Sequence, residues 1–170
     1  MWAVEKNPNA IITLRSRKVR DKWENVEIVA SDMRDWETTE RADIMVSELL
    51  GSFGDNELSP ECLDGAQRFL QKDGVSIPEH YWSSMEPISA TKLWKDVKEF
   101  DDLSHAETVY LTALHGVYRP SSPQKVFAYS HPNWELSSND RHIDAEFEVE
   151  DDCVVHGLAG YFPMSFLTPS

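Results

Sequence analysis

The sequence predicts an α/β fold in which a parallel sheet with crossover helices gives way to a mostly antiparallel β region. Residues 1–77 alternate short apolar strands with helical stretches. Beyond Ile77-Pro78, most strand-like runs follow one another with only proline- and serine-rich turns between them. The 170 residues are 41% hydrophobic and 27% charged, which suits a folded chain of one or two small domains and argues against disorder.

The elements follow in order. Trp2-Ala3-Val4 reads as a short strand, and Pro8 as a first-turn residue of a helix whose body runs from Ala10 to Arg20. Val26 to Ala30 and Asp43 to Ser47 read as the second and third strands. Ser59-Pro60-Glu61 opens a helix with an N-cap, a proline at the first position and an early acid. Its apolar residues Leu63, Ala66, Phe69 and Leu70 recur at helical spacing. Asp73-Gly74 then reads as a turn into Val75-Ser76-Ile77. In the second region a helix is expected over Thr91 to Phe100. Strands are expected at Val109 to Tyr118, Lys125 to Tyr129, Asp144 to Val149 and Val154 to Phe162.

Charge narrows the function. A formal charge of −14 argues against direct nucleic-acid binding, which needs clustered Lys and Arg, and favours cationic partners. No apolar run approaches the roughly 20 residues that span a bilayer, and MWAVEKNPN lacks the pattern of a signal peptide. Cys62 and Cys153 are too few for a disulfide framework and suit a reducing compartment. The six histidines have no metal-ligand spacing, so no metal site is expected. The tryptophans read as packing residues.

Acids recur where such a fold binds ligands. In an open α/β sheet the ligand crevice lies beyond the carboxyl ends of the strands. Glu5, Asp32 and Glu48 each follow one of the first three strands. An acid there can accept both hydroxyls of a ribose. Asp32 followed by Met33 suits an adenine, the carboxylate accepting the exocyclic amine and the thioether lying on the ring. Taken singly, such acids more often cap the next helix or face solvent. The sharpest string is Ser47-Glu48-Leu49-Leu50-Gly51-Ser52-Phe53-Gly54-Asp55-Asn56-Glu57, two glutamates around a loop that can reverse on its glycines. Two converging carboxylates repel unless a cation relieves them. A guanidinium does so with bidentate hydrogen bonds.

At this string the sequence resembles the protein arginine methyltransferase family, and within it the type II branch. The matching stretches are Ala3 to Asn9, Ser31-Asp32-Met33-Arg34, Ser47 to Phe53, Asp55 to Gln67, Asp73 to Pro78, Ser130 to Asn133, and His156-Gly157 with Ala159 to Phe162. The resemblance implies a Rossmann-like, S-adenosylmethionine-dependent domain followed by a β-barrel. Residues 1–77 would be the C-terminal part of the first, and residues 78–170 an incomplete barrel for substrate binding and dimerisation. It implies methyl transfer from S-adenosyl-L-methionine to protein arginines, ending in symmetric dimethylarginine. Glu48 and Glu57 match the paired catalytic glutamates that hold the guanidinium. Glu5 matches the ribose acid, and Asp32 and Met33 match the adenine contacts. The implied partners are histone tails and Arg/Gly-rich proteins, a WD-repeat adaptor whose docking region is not in this chain, and further copies in a homo-oligomer. The implied setting is cytoplasmic and nuclear.

None of the seven glycines forms G-x-G, so the family's glycine-rich cofactor loop and the strand before it are expected upstream of Met1. The aromatic loop that completes the arginine pocket is expected beyond Ser170. The isolated 170 residues are therefore expected to be unstable or self-associating and to bind the cofactor poorly. A truncated, inactive relative that only binds proteins is the alternative. A nucleotide-dependent oxidoreductase is a third reading, disfavoured by the missing G-x-G.

Overall fold

The computed structural model describes residues 1–135 and 138–165. β1 (Trp2–Glu5) and β2 (Glu27–Ala30) pair in parallel, with Trp2 opposite Glu27 and Glu5 opposite Ala30. Helix α1 (Pro8–Arg20) connects them. Its start is written in the sequence: the Asn7 side chain accepts the Asn9 N–H at 2.9 Å, and Pro8 occupies the first turn. Arg17, Lys18 and Arg20 fill the last turn, where the helix dipole favours cations. Ile11 is buried, and Leu14 and Lys18 beside it are half-buried, which defines the inner face.

β3 (Ala42–Val46) pairs in parallel with β4 (Leu70–Ile77) across α2 (Ser59–Ala66). The helix stops at Ala66 rather than running to Leu70, and its end tightens into a single 3-10 turn over Gln67–Phe69. The turn expected at Asp73-Gly74 is instead an irregularity inside β4. The register jumps from Ala42 opposite Leu70 to Ile44 opposite Val75. Gly74 permits this, since a Cβ there would lie 2.7 Å from Leu70 Cγ and 3.1 Å from the Asp43 carbonyl oxygen.

These strands form two separate two-stranded sheets rather than one, because β1 and β3 are not paired. Ile44 and Val46 of β3 stay 58% and 72% exposed. Side chains stitch the two pairs together. Trp36 lies 5.7 Å from the Trp2 ring and 4.6 Å from Phe69. The Arg68 guanidinium donates to the Arg34 and Trp36 carbonyl oxygens at 2.6 and 2.8 Å.

The second region is built on β5 (His80–Ile88). It pairs antiparallel with β6 (Gln124–Ser130) on one edge, and with β7 (Gly157–Tyr161) and the short β8 (Met164–Ser165) on the other. The sheet is open; among the described residues no barrel closes. Helices α3 (Thr91–Lys98) and α4 (Ser104–Glu107) follow β5. Leu93, Leu114, Val117 and Tyr161 pack against a core of Ile88, Ala90 and Ala159. Buried Glu86 is satisfied by Arg119 Nε at 2.7 Å and the Tyr161 hydroxyl at 2.5 Å.

Two expected strands are absent. Within 109–118 only Tyr118 makes a bridge, to Ser89, and 144–149 has no strand pairing. Alternation is a necessary feature of a half-buried strand, but a ladder also needs a partner edge, and beyond the single Tyr118–Ser89 bridge neither segment finds one among the described residues. Residues 166–170, the end of the expected second domain, lie outside the described residues.

Candidate active site

Glu5 and Asp32 stand at the carboxyl ends of neighbouring strands. The Ser31 N–H donates to the Glu5 carbonyl oxygen at 3.1 Å, continuing the β1–β2 pairing to the residue before Asp32. Glu5 Oε1 accepts the Asn7 N–H at 2.7 Å, which leaves Oε2 without a partner among the described residues.

Asp32 is the most heavily bonded acid in this region. Its Oδ1 accepts the Arg34 N–H and Arg34 Nε, both at 3.0 Å. Its Oδ2 accepts Arg34 Nη2 at 2.7 Å and Lys6 Nζ at 3.3 Å. A carboxylate offers about four lone-pair sites, and all are in use. The Arg34 side chain, then its backbone N–H, hold the Asp32 carboxyl well below the usual carboxylate range. Of these partners Lys6 is the most exposed, at 67%, and the most distant. An incoming amine would displace it first. Met33 is half-buried next to this carboxylate, and its carbonyl oxygen accepts Arg68 Nη2 at 3.3 Å.

Glu48 leaves the end of β3 just after Ser47, whose N–H donates to the Ile77 carbonyl oxygen at 2.9 Å. The loop then folds on itself. Gly51 and Gly54 form an isolated antiparallel bridge. Asn56 Oδ1 accepts the Phe53 N–H at 2.8 Å, and Asn56 Nδ2 donates to Ser52 Oγ at 3.3 Å. A Cβ on Gly51 would overlap the Asn56 amide, so this closure requires glycine. Leu58, next to Glu57, has φ +61°, the left-handed region. Glu48 and Glu57 are both exposed, and neither makes a hydrogen bond or ion pair among the described residues.

The structure thus gathers Glu5, Asp32 and Met33 at one sheet edge, and puts Glu48 and Glu57 at the two ends of one self-locked loop. Sequence reasoning passed over Arg34, Asn56 and Arg68. Arg34 had a readable signal, an arginine two residues after a strand-end acid. Asn56 had a weaker one, an asparagine inside a glycine loop. Arg68 had none, because three of its four carbonyl partners come from a loop more than thirty residues away. The residues present fit the nucleoside end of a cofactor: Glu5 keeps a free oxygen, and Asp32 holds its charge.

Comparison with known proteins identifies the family of the chain. Residues 1–77 match the family model described as PRMT5 arginine-N-methyltransferase, and residues 80–168 match the PRMT5 oligomerisation domain. Protein arginine N-methyltransferase 5 of Oryza sativa subsp. indica is 56% identical over 167 residues, covering 95% of this chain and 26% of that protein. The protein of the same name from Xenopus laevis is 48% identical over 168 residues, with 95% and 26% covered. The chain thus spans about a quarter of the length of these curated relatives. A Trypanosoma brucei PRMT1 enzyme-prozyme heterotetrameric complex with AdoHcy shares the fold, with a TM-score of 0.67 at 12% identity over 76% of this chain and 44% of that one. The family-model matches over residues 1–77 and 80–168 establish that this chain belongs to the PRMT5 arginine-N-methyltransferase family.

Proposed function

We propose that this chain is the segment of a protein arginine N-methyltransferase that holds the nucleoside of S-adenosylmethionine and the guanidinium of the substrate arginine. The observation that carries the reading is the contrast between a saturated Asp32 and two unpaired glutamates at the ends of a locked loop. The cofactor supplies a methyl group on a sulfonium. Glu5 accepts ribose hydroxyls through its free oxygen. Asp32 would accept the adenine amine in place of Lys6, and Met33 would supply an apolar contact to the base. Glu48 and Glu57 grip the guanidinium, aim one nitrogen and stabilise its positive charge. Either carboxylate can accept the proton that leaves after transfer.

The wider reading follows from family membership. Residues 1–77 belong to the C-terminal part of the cofactor-binding domain, and residues 78–170 to an incomplete β-barrel that binds substrate and forms homo-oligomers. Histone tails and Arg/Gly-rich proteins are the substrates, and symmetric dimethylarginine is the product. The full-length protein works with a WD-repeat adaptor in cytoplasm and nucleus.

The test uses a full-length enzyme carrying these 170 residues, set into the corresponding stretch of the Oryza sativa relative. Glu48→Gln and Glu57→Gln should each slow methylation of a histone-tail or Gly-Arg-rich peptide by roughly 100-fold or more. Affinity for S-adenosylhomocysteine, read by calorimetry, should stay within about 2-fold, since neither residue meets the nucleoside. Full activity in either variant overturns the assignment.

A further inference from the structure

Two glutamates at the ends of a loop act together only if the loop keeps one shape. The Gly51–Gly54 bridge and the Asn56 amide close its first half. The second half, Gly54 to Ser59, carries Glu57 and contains Leu58 in the left-handed region, a strained conformation for a residue with a Cβ. Such a turn persists only when its surroundings hold it.

They do so through buried hydroxyls. Ser59 Oγ donates to the Gly54 carbonyl oxygen at 2.8 Å, closing the turn around Glu57. That engages the serine proton. The Tyr81 hydroxyl, 2.8 Å from the same Oγ, is therefore the donor to it. The Tyr81 oxygen in turn lies 3.3 Å from His131 Nε2, which completes a directed chain from His131 through Tyr81 and Ser59 to Gly54. A second anchor runs beside it. Ser83 Oγ donates to the Phe53 carbonyl oxygen at 2.6 Å. Ser59, Tyr81, Ser83 and His131 are all at most 3% exposed. Burial pushes the Tyr81 phenol up to about 12, so it keeps its proton. Gly54 itself, at φ +94°, lies against the same pair: a Cβ there would be 3.4 Å from both Ser83 Oγ and the Tyr81 ring.

Tyr81 and Ser83 belong to β5, the centre of the antiparallel sheet, not to the parallel strands that carry the acids. We propose that Ser59, Tyr81 and Ser83 are positioning residues for Glu57, fixing from the second sheet the turn that presents this glutamate to the guanidinium. The inference rests on the reading of Glu57 given above. None of the three hydroxyls faces the substrate; they act through the backbone of residues 53–59.

The test again uses the full-length enzyme carrying this segment. Tyr81→Phe keeps the ring, stacked 4.5 Å from Tyr129, and removes only the hydroxyl. Ser83→Ala removes the second anchor. Each should lower kcat by about 10-fold through misplacement of Glu57, with the S-adenosylhomocysteine Kd unchanged. The share of product stopping at monomethylarginine should rise, since a loosened glutamate presents the second nitrogen less well. Ser59→Thr, which keeps a hydroxyl, should retain more activity than Ser59→Ala. A Tyr81→Phe and Ser83→Ala pair with parental kcat and product ratio, whatever their melting temperatures, overturns the inference. Glu57→Gln is run alongside. If it is inactive while the hydroxyl variants are fully active, only the positioning role falls; if it is itself active, the underlying reading falls too.

Discussion

Asp32 carries four hydrogen bonds on its two oxygens, whereas Glu48 and Glu57, which flank the loop after β3, carry none among the described residues. A carboxylate that must accept from a neutral amine gains from being ionised and fixed beforehand, and the Arg34 fork does both. A carboxylate that must receive a cation has to remain unpartnered, because an internal arginine or lysine would occupy its sites and cancel its charge. Exposure keeps two such free acids inexpensive, and on the proposed reading it does so until a guanidinium arrives. The loop between them is ordered by bonds to backbone atoms, which leave the carboxylates alone.

The comparison breaks first at Glu5, which lies between the two cases with one oxygen engaged by Asn7 and one free. If that free oxygen accepts ribose hydroxyls, Glu5→Ala in the full-length enzyme should weaken S-adenosylhomocysteine binding by about 10-fold or more in calorimetry. Unchanged affinity would reduce Glu5 to a residue that caps the chain entering α1.

Arg34 sharpens the same contrast with a smaller effect. Its side chain is 42% exposed, so screening limits the pair, and Arg34→Ala should weaken cofactor binding by up to about 5-fold at pH 7. The pH dependence has a definite sign. Arg34 depresses the Asp32 pKa, so the parent carboxylate stays ionised from pH 7 down to pH 4. Without Arg34 the pKa rises toward the ordinary value of about 3.9, and near pH 4 roughly half the acid is protonated. The ratio of parent to variant affinity should therefore widen by about another 2-fold between pH 7 and pH 4. A constant ratio would mean that Arg34 does not control the charge of Asp32.

What the sequence made legible, and what it hid, divides along the same regions. β1 to β3, the last three residues of β4, the starts of α1 and α2 and the acids at strand ends were readable because each has a local cause: Pro8 and Pro60 in first helical turns, and short apolar runs such as Trp2-Ala3-Val4 and Ile44-Met45-Val46. The first part of β4 was not, since Phe69 and Leu70 continue a helical spacing. β5 was not. His80-Tyr81-Trp82-Ser83-Ser84-Met85-Glu86-Pro87-Ile88 mixes polar and apolar residues without alternation. It is a strand because both its edges are paired and because its buried Ser83 and Glu86 find partners in Phe53, Arg119 and Tyr161. Those partners are distant in sequence, so no local pattern announces them. Asp144 to Val149 is the converse case, a clean period of two that forms no strand. Among the site residues, the acids declared themselves by position and motif. The hydroxyls that hold the loop did not, since a buried serine or tyrosine is indistinguishable in sequence from an exposed one.

The smallest expected effect concerns that same acidic stretch. Glu146, Glu148 and Glu150 are exposed, with Phe147 half-buried between the first two, and the surrounding residues 144–152 carry six acids and no base. With no ladder to align them, these carboxylates form no flat strand face, and on the proposed reading their summed field would attract cationic substrates at long range. Such steering acts on association more than on the bound complex, and salt screens it over about 10 Å at 0.1 M. Changing Glu146, Glu148 and Glu150 together to Gln should leave kcat for an Arg/Gly-rich peptide unchanged. It should lower its association rate by about 2- to 3-fold at low salt, with the difference fading above roughly 0.3 M. Stopped-flow association measured across a salt series decides the matter. Parallel salt slopes for parent and variant would make this acidic stretch a solvated surface with no part in recruiting substrate, and would confine recognition to the two free glutamates of the loop.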